Sequence, residues 1–177
     1  GLVFPAGPLR EPLLPQLART DALIVVGNGS AGKAVAAGIA AREGLVLSSR
    51  LVPDAASVER LKGKRVLAFA GIGDPARFYR TLRAAGIEVM RERSFADHHP
   101  FTEGEIESLV ADARSGQLTL VTTEKDYARL RGAGEVPAFL GDIVPFKVTL
   151  EFTDAAPLKT FLADRLFKAR ERRLQSK

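Results

Sequence analysis

Hydrophobic residues along the chain follow two alternating patterns, which predict strands and helices in turn. Short apolar runs, such as residues 21–26 and 65–70, are typical of strands that are buried on both faces of a parallel sheet. Between such runs, apolar residues recur three and four positions apart, as at Phe78, Leu82 and Ala85, and this spacing predicts amphipathic helices. Because the two patterns alternate along most of the chain, we expect an α/β fold with a mainly parallel sheet flanked by helices.

Start and stop residues place the predicted elements along the chain. Asp74 followed by Pro75 predicts a helix that ends at Gly86, and Thr102 with Glu105 predicts a capping box at the next helix. The other predicted helices are residues 13–19, residues 122–130 and a terminal helix that begins at Thr153 or Asp154 and carries Leu158, Phe161, Leu162 and Leu166 on its apolar face. The predicted strands are residues 21–26, 45–52 (as an exposed ribbon or hairpin arm), 65–70, 87–95, 118–121 and 143–152. Pro, Asp, Ser and Gly collect at residues 53–63 and predict a domain boundary there.

The composition excludes several classes of site. The chain has 177 residues, no Cys and two adjacent His, so disulfides, thiolate ligands and a zinc site built mainly from His and Cys are excluded. No apolar run approaches the ~18 residues that a membrane-spanning helix needs. The net charge of +5 arises entirely within residues 165–177. This basic end could be a phosphate-binding face, but a solvated helix end is the favoured interpretation.

Three loops are expected to hold the chemistry, because ligands of open parallel sheets bind beyond the carboxyl ends of the strands. The three loops are residues 71–75, 96–102 and 122–126. In the second loop, Pro100 favours an extended backbone before it, so Asp97 and His99 should share one side while His98 faces the other. A carboxylate beside an imidazole suits acid–base chemistry, although on local sequence alone a structural His pair in a polar turn is favoured.

Charged residues at two other places could bind anions. Lys125 stands in the first turn of a predicted helix, where it needs Glu124, Asp126 or an outside anion as a partner. Arg10 and Glu11 lie in a proline-stiffened loop, and a rigid Arg suits phosphate or carboxylate. At Lys125 a structural ion-pair cluster is the favoured interpretation on local sequence alone.

A glycine-rich segment at residues 27–33, GNGSAGK, has the pattern of a phosphate-binding loop after a predicted strand. However, Ala34 stands where a Ser or Thr hydroxyl would bind Mg²⁺. A plain glycine turn is therefore favoured over a working nucleotide loop.

Four segments occur in an order that indicates a known family. They are PAGPLREP at residues 5–12, AFAGIGDPARFYRTL at 68–82, SFADHHPFT at 94–102 and TTEKDYARL at 122–130. Together they resemble tetraacyldisaccharide 4'-kinase, the lipid A kinase, which transfers the ATP γ-phosphate to the 4'-hydroxyl of a tetraacylated disaccharide 1-phosphate. The resemblance implies a lipid kinase at the cytoplasmic face of the bacterial inner membrane, with an anionic membrane surface as a partner and no nucleic acid.

The resemblance also implies that the chain is a C-terminal portion of such a kinase. In the family the phosphate loop, the catalytic Asp and the acidic metal-binding motif precede the PAGPLREP segment. ATP and Mg²⁺ would then be bound mainly by a part that this sequence lacks, and the chain alone is expected to be inactive. The implied divisions are residues 1–44 as the end of the nucleotide-binding core, 45–62 as a two-stranded connector and 63–177 as a smaller α/β domain with a basic terminal helix.

Site residues carry over from the family to matching positions of this chain. His98 or His99, beside Asp97, would approach the catalytic Asp, and the resemblance leaves open which of the two does so. The implied substrate-binding residues are Arg10, Glu11 and Lys125. Two other functions are alternatives: an autonomous nucleotide- or anion-binding domain that uses residues 27–33, and a nucleic-acid or membrane-surface module that uses the terminal helix.

Overall fold

The computed structural model describes residues 2–7, 9–30, 32–132 and 141–175. It divides into two compact units, which we call the split unit (Gly1–Leu51 with Leu150–Lys177) and the central unit (Val52–Thr149). In chain order the elements are α1 (Leu13–Ala18), β1 (Ala22–Val26), α2 (Lys33–Ala40), β2 (Leu45–Pro53), α3 (Ala55–Leu61), β3 (Arg65–Ala70), α4 (Pro75–Ala84), β4 (Glu88–Ser94), α5 (Glu103–Gly116), β5 (Thr119–Thr123), α6 (Glu124–Gly132), β6 (Ile143–Phe146), β7 (Val148–Phe152) and α7 (Ala156–Gln175).

The central unit is built on a four-stranded sheet in the order β4-β3-β5-β6. All three strand pairings in this sheet are parallel, which confirms the predicted mainly parallel α/β fold. One of the two inner strands, β3, is buried from Val66 to Ala70, and its side chains alternate between two apolar clusters. Val66 packs in the cluster with Leu82 of α4, and Phe69 packs in the cluster with Leu109 of α5. Each large side chain buried in this way contributes about 1.5–3 kcal/mol, so the sheet is a firm base for the loops at its ends.

Local capping fixes where the two central helices begin. The Asp74 carboxylate accepts a hydrogen bond from the Arg77 amide, and Pro75 follows in the first turn of α4. Gly86, after the end of that helix, has a φ of +79°, which glycine adopts without strain. At α5 the Thr102 side chain and Glu105 form a complete capping box. These predicted caps are confirmed.

The split unit holds a three-stranded sheet in the order β1-β2-β7, in which β1 and β2 are parallel. Among its described residues, the buried hydrophobic side chains are those of Ile39 and Leu47. Two predicted members of the apolar face of α7, Leu162 and Leu166, are exposed in this unit. Over the described part of the chain, no helix combines the length and the apolar character needed to cross a membrane.

The structure differs from the sequence prediction in two connections. The predicted boundary at residues 53–63 contains the short helix α3, which the Asp54 side chain caps by accepting from the Ser57 amide. The predicted strand at 143–152 is two strands, β6 and β7, which belong to different sheets. Lys147 lies between them, and its backbone bonds to Asp54 and to the Ser57 hydroxyl instead of to a strand.

The grouping of residues into units differs from the implied domain division as well. Residues 63–177 were expected to form one domain, but residues 150–177 group with residues 1–51 because β7 joins the sheet of β1 and β2. Arg165 of α7 also forms an ion pair with Asp21, 3.4 Å apart, within the split unit. The segment expected to be a two-stranded connector, residues 45–62, contributes β2 as the middle strand of that sheet and α3 to the central unit.

Candidate active site

The candidate site lies at the carboxyl ends of β3, β4 and β5 in the central unit, where the sheet rule places it. Gly71 follows β3, residues 95–102 follow β4, and α6 begins directly after β5. The Phe95 amide donates to the Ala70 carbonyl oxygen, which ties the second loop to the end of β3. A Cβ on Gly71 would lie 3.3 Å from the Ala96 carbonyl oxygen and 3.4 Å from the His99 Cβ, so these loops are closely packed.

His99 is held inside this group of loops. Its ring stacks on Phe95 with centroids 5.0 Å apart, and the Phe101 ring meets it edge-on at 5.4 Å. Its Nε2 lies 2.9 Å from one carboxylate oxygen of Glu105 and 3.0 Å from the other. The Thr102 backbone amide, together with His99, lowers the pKa of Glu105 from its ordinary 4.5 to about 2. His99 is therefore part of the packing and capping at the start of α5.

His98 has the opposite environment. Its side chain is 85% exposed, and its backbone has a φ of +59°, a conformation that few residues other than glycine adopt. Its Nε2 lies 3.8 Å from the Asp97 carboxylate, and its Nδ1 lies 3.4 Å from Nη1 of Arg129. His98 is thus the imidazole that is accessible for chemistry.

The expected arrangement of the pair, with Asp97 and His99 on one side, is wrong. Residues 97 and 98 form a turn rather than an extended segment, and the His99 amide closes it by donating to the Ala96 carbonyl oxygen. The left-handed conformation of His98 breaks the alternation of sides that an extended backbone would produce. Asp97 consequently faces His98, and His99 turns to Glu105.

A buried carboxylate, that of Asp126 in α6, holds the loop from beneath. It is fully buried, and its Oδ2 accepts from the Gly71 amide at 3.1 Å and from the Thr123 hydroxyl at 2.8 Å. Its Oδ1 accepts from Arg129, which also donates from Nη2 to the Gly71 carbonyl oxygen at 2.7 Å. From the sequence, Asp126 is expected only as a partner for Lys125, and Arg129 is not expected at the site. The available signal was their spacing of three residues, which places both on one face of a helix.

The remaining predicted site residues are more loosely placed. The Lys125 side chain is exposed in the first turn of α6 and forms no hydrogen bond or ion pair within the described residues. Arg10 is exposed in the split unit, and Glu11 beside it pairs with Arg19 rather than with Arg10. The structure therefore brings Asp97, His98 and His99 together in the central unit, and Arg10 with Glu11 belongs to the split unit.

The glycine-rich segment joins β1 to α2 in the split unit. Gly27 has a φ of +82° and donates from its amide to the Ser49 carbonyl oxygen at 2.7 Å. Helix α2 begins at Lys33 without a side-chain cap, and both Lys33 and Ala34 are exposed. Within the described ranges, no three or more His, Asp or Glu side chains are grouped so that they could hold a metal ion.

The family model and the curated relatives that match this chain all belong to one family. A family model described as tetraacyldisaccharide-1-P 4'-kinase, LpxK, matches residues 1–167. The chain is 60% identical over 170 residues to a tetraacyldisaccharide 4'-kinase of Nitrobacter hamburgensis, covering 96% of this chain and 51% of that protein. It is 62% identical over 173 residues to the protein of the same name from Bradyrhizobium diazoefficiens, covering 98% of this chain and 50% of that protein. The chain spans about half the length of these curated relatives.

One solved structure shares the fold. It is described as an "apo" form of LpxK from Aquifex aeolicus in complex with ATP, and it superposes with a TM-score of 0.55 at 22% sequence identity. The likeness covers 92% of this chain and 47% of that one.

Proposed function

Since the chain belongs to the tetraacyldisaccharide-1-P 4'-kinase family, we propose that it is part of an ATP-dependent lipid kinase of lipid A biosynthesis. The whole protein transfers the γ-phosphate of ATP to the 4'-hydroxyl of a tetraacylated disaccharide 1-phosphate. The observation that carries this proposal is the family match over residues 1–167, and relatives about 60% identical support it.

The residues of this chain do not by themselves fit Mg²⁺ and ATP. Ala34 has no hydroxyl to bind a metal ion, and the described residues provide no cluster of carboxylates for one. In our proposal the half of the relatives' length that this chain does not span holds most of the nucleotide and its metal ion. Residues 27–33 have no part in the chemistry that we propose.

His98 is the member of the pair to which we assign the function. This choice is supported by its exposed side chain, whereas His99 is packed between aromatic rings and bonded to Glu105. Phosphoryl transfer has a loose transition state, so the protein contributes mainly positioning and charge stabilisation. The proton of the acceptor hydroxyl goes to the carboxylate of the family's catalytic Asp, which lies in the part of the kinase that this chain does not span. The role of His98 is to donate a hydrogen bond from Nε2 to that carboxylate. Asp97 faces the same nitrogen in this chain.

Arg10 and Lys125 are proposed to bind the anionic parts of the substrate. Both side chains are exposed, and neither has an ion-pair partner among the described residues, so both are available to an outside anion. An arginine can bind two oxygens of a phosphate at once, which suits Arg10 to the lipid phosphate or the transferred group.

We further propose that the protein works at the cytoplasmic face of the bacterial inner membrane, since ATP is cytoplasmic and the acceptor is a lipid.

The test is to replace each imidazole in the full-length protein. We expect His98→Ala to lower kcat and kcat/KM together by roughly 10²- to 10⁴-fold, because the hydrogen bond to the carboxylate acts in the transition state. His99→Ala is the matched control on the adjacent residue. It should lower Tm through lost packing and spare kcat per folded molecule. Steady-state kinetics with thermal unfolding of both variants separates these effects, and a near-normal kcat for His98→Ala would refute the assignment.

A further inference from the structure

We propose that Arg129, fixed by the buried carboxylate of Asp126, is a positioning residue that holds the His98 imidazole in the tautomer with its proton on Nε2. The catalytic importance of this contact rests on the proposed function of His98, whereas its geometry is independent of that function. Neither Arg129 nor Asp126 belongs to the residues that the family resemblance assigned to the site.

The contact between the Arg129 and His98 side chains has only one possible direction. Nη1 of Arg129 lies 3.4 Å from Nδ1 of His98. A guanidinium carries only donors, so the ring nitrogen that faces it must be the acceptor. A neutral imidazole has one protonated nitrogen, and the proton then resides on Nε2. Nε2 is the nitrogen that faces the Asp97 carboxylate at 3.8 Å and the nitrogen that our proposal uses as a donor.

The Arg129 guanidinium is kept in place by Asp126 and by the Gly71 backbone. The Arg129 side chain is 29% exposed, and it bonds to Oδ1 of Asp126, whose side chain is 0% exposed. Nη2 of the same guanidinium donates to the Gly71 carbonyl oxygen at 2.7 Å. A buried carboxylate without a cation would be costly, so the pair is held firmly and the direction of Nη1 is set with it.

Arg129 and Asp126 are also connected to the backbone of His98, through Gly71. The His98 amide donates to the Gly71 carbonyl oxygen at 3.1 Å, the oxygen that Arg129 also binds. The Gly71 amide in turn donates to Asp126. Asp126 and Arg129 therefore fix both the ring and the main chain of His98. A non-glycine residue with a φ of +59° needs such support, because that conformation is unfavourable by itself.

The experiment measures the tautomer directly. The chain contains only two histidines, so selective ¹⁵N labelling of histidine gives two imidazoles to follow by NMR. In the parent chain at neutral pH we expect His98 to have an unprotonated Nδ1 and a protonated Nε2. Arg129→Met removes the donor, and Arg129→Lys keeps a positive charge beside Asp126 but cannot bridge Asp126, Gly71 and His98 together. Both variants should move His98 toward a mixture of tautomers, while His99, which is bonded to Glu105, stays unchanged.

Arg131→Met is the matched control, because Arg131 is an exposed arginine of the same helix. It should leave both histidine signals where they are. In the full-length protein, Arg129→Lys is expected to lower kcat by about 10- to 100-fold with KM changed by less than about 2-fold, as for a misplaced catalytic group. The Lys variant keeps the buried charge pair, so it remains informative if Arg129→Met fails to fold.

The outcomes separate this inference from the proposed function. If His98 keeps its tautomer in Arg129→Lys and in Arg129→Met, the positioning role is refuted whatever the kinetics show. If the tautomer shifts but His98→Ala retains its kcat, the positioning role stands and the proposed function of His98 fails. If the tautomer shifts and kcat falls in both His98→Ala and Arg129→Lys, both are supported.

Discussion

His98 and His99 are adjacent and chemically identical, but the structure places them in different surroundings. His99 is enclosed by Phe95 and Phe101 and shares the Glu105 carboxylate with the capping box of α5. His98, one residue earlier, projects into solvent from a left-handed turn. Glu105 therefore links a structural imidazole to a helix cap, and its ionisation should matter to stability.

We predict that Glu105 makes stability depend on pH in the acid range. Its pKa is lowered from 4.5 to about 2 in the folded chain, first by the Thr102 amide and then by His99. A carboxylate with a lowered folded pKa stabilises the fold fully above its unfolded pKa, and this stabilisation is lost as the pH falls through the folded value. The parent chain should thus lose Tm steadily from about pH 5 to about pH 2.

Glu105→Gln should have a lower Tm than the parent at pH 7 and a flatter dependence of Tm on pH across the same interval. The control is Glu103→Gln, which changes an exposed acid in the same helical turn and leaves the capping box intact. Thermal unfolding followed by circular dichroism at a series of pH values makes the comparison. Parallel pH profiles for the parent chain and Glu105→Gln would show that this carboxylate does not carry the effect.

The sequence predicts where the site lies better than how its side chains meet. Alternation of strands and helices places residues 96–102 at a carboxyl edge, which the structure bears out. The prediction that Asp97 and His99 share one side is wrong because it assumes an extended backbone. The positive φ of His98 leaves no pattern in the sequence from which it could be predicted. The bond from Arg129 to Gly71 spans 58 residues, and long-range contacts of this kind depend on the packed sheet.

At the scale of elements, capping residues predict helix starts well, but strand ends are harder to predict. Asp74 and Thr102 cap α4 and α5 as expected, because a side-chain oxygen that binds a free amide is a local interaction. Most residues of the run 143–152 are strand-forming, and its one proline, Pro145, lies inside β6 rather than at the change of sheet at Lys147. Sheet membership is decided by which neighbour each half pairs with, and that information is not local.

The terminal helix α7 is the element for which we predict a binding property, as part of the proposal of a membrane partner. Leu162, Leu166 and Phe167 are exposed on it, and the net charge of the chain is concentrated in residues 165–177. Each basic residue close to an anionic lipid surface contributes about 1 kcal/mol. Replacing Arg170, Arg172 and Arg173 with Gln should therefore weaken binding to vesicles that contain anionic lipid by roughly 100-fold at low salt.

A matched control removes the same charge from another exposed place, by replacing Arg60, Lys62 and Lys64 with Gln near the end of α3. Sedimentation with vesicles at low and high salt is the measurement, since high salt should remove the difference between the variants. Equal loss of binding in the two triple variants would mean that net charge alone matters. Unchanged binding without the basic residues of α7 would contradict its role.

At the scale of the whole molecule, the two units differ in how completely they bury their apolar residues. In the central unit β3 is covered on both faces. In the split unit the side chains of Ile24 and Val26 on β1 are 42% and 44% exposed, and Leu51 on β2 is 42% exposed. The candidate residues are distributed over both units, with His98 in one and Arg10 in the other. In our proposal, the part of the kinase that this chain does not span covers these side chains and completes the chemistry.

We therefore predict that the purified chain of 177 residues does not turn over ATP in the presence of Mg²⁺. The reason is the chemistry of its donors: Ala34 follows the GxxxxGK pattern without a hydroxyl, and the described residues contain no cluster able to hold the metal ion. Phosphate release and transfer to a tetraacylated disaccharide 1-phosphate are measured beside the full-length protein as the positive control. Thermal unfolding with and without ATP adds a binding readout, in which the chain should show no rise in Tm. Reproducible turnover would overturn the prediction, and a rise in Tm that Lys33→Ala abolishes would instead support an autonomous nucleotide-binding domain built on residues 27–33.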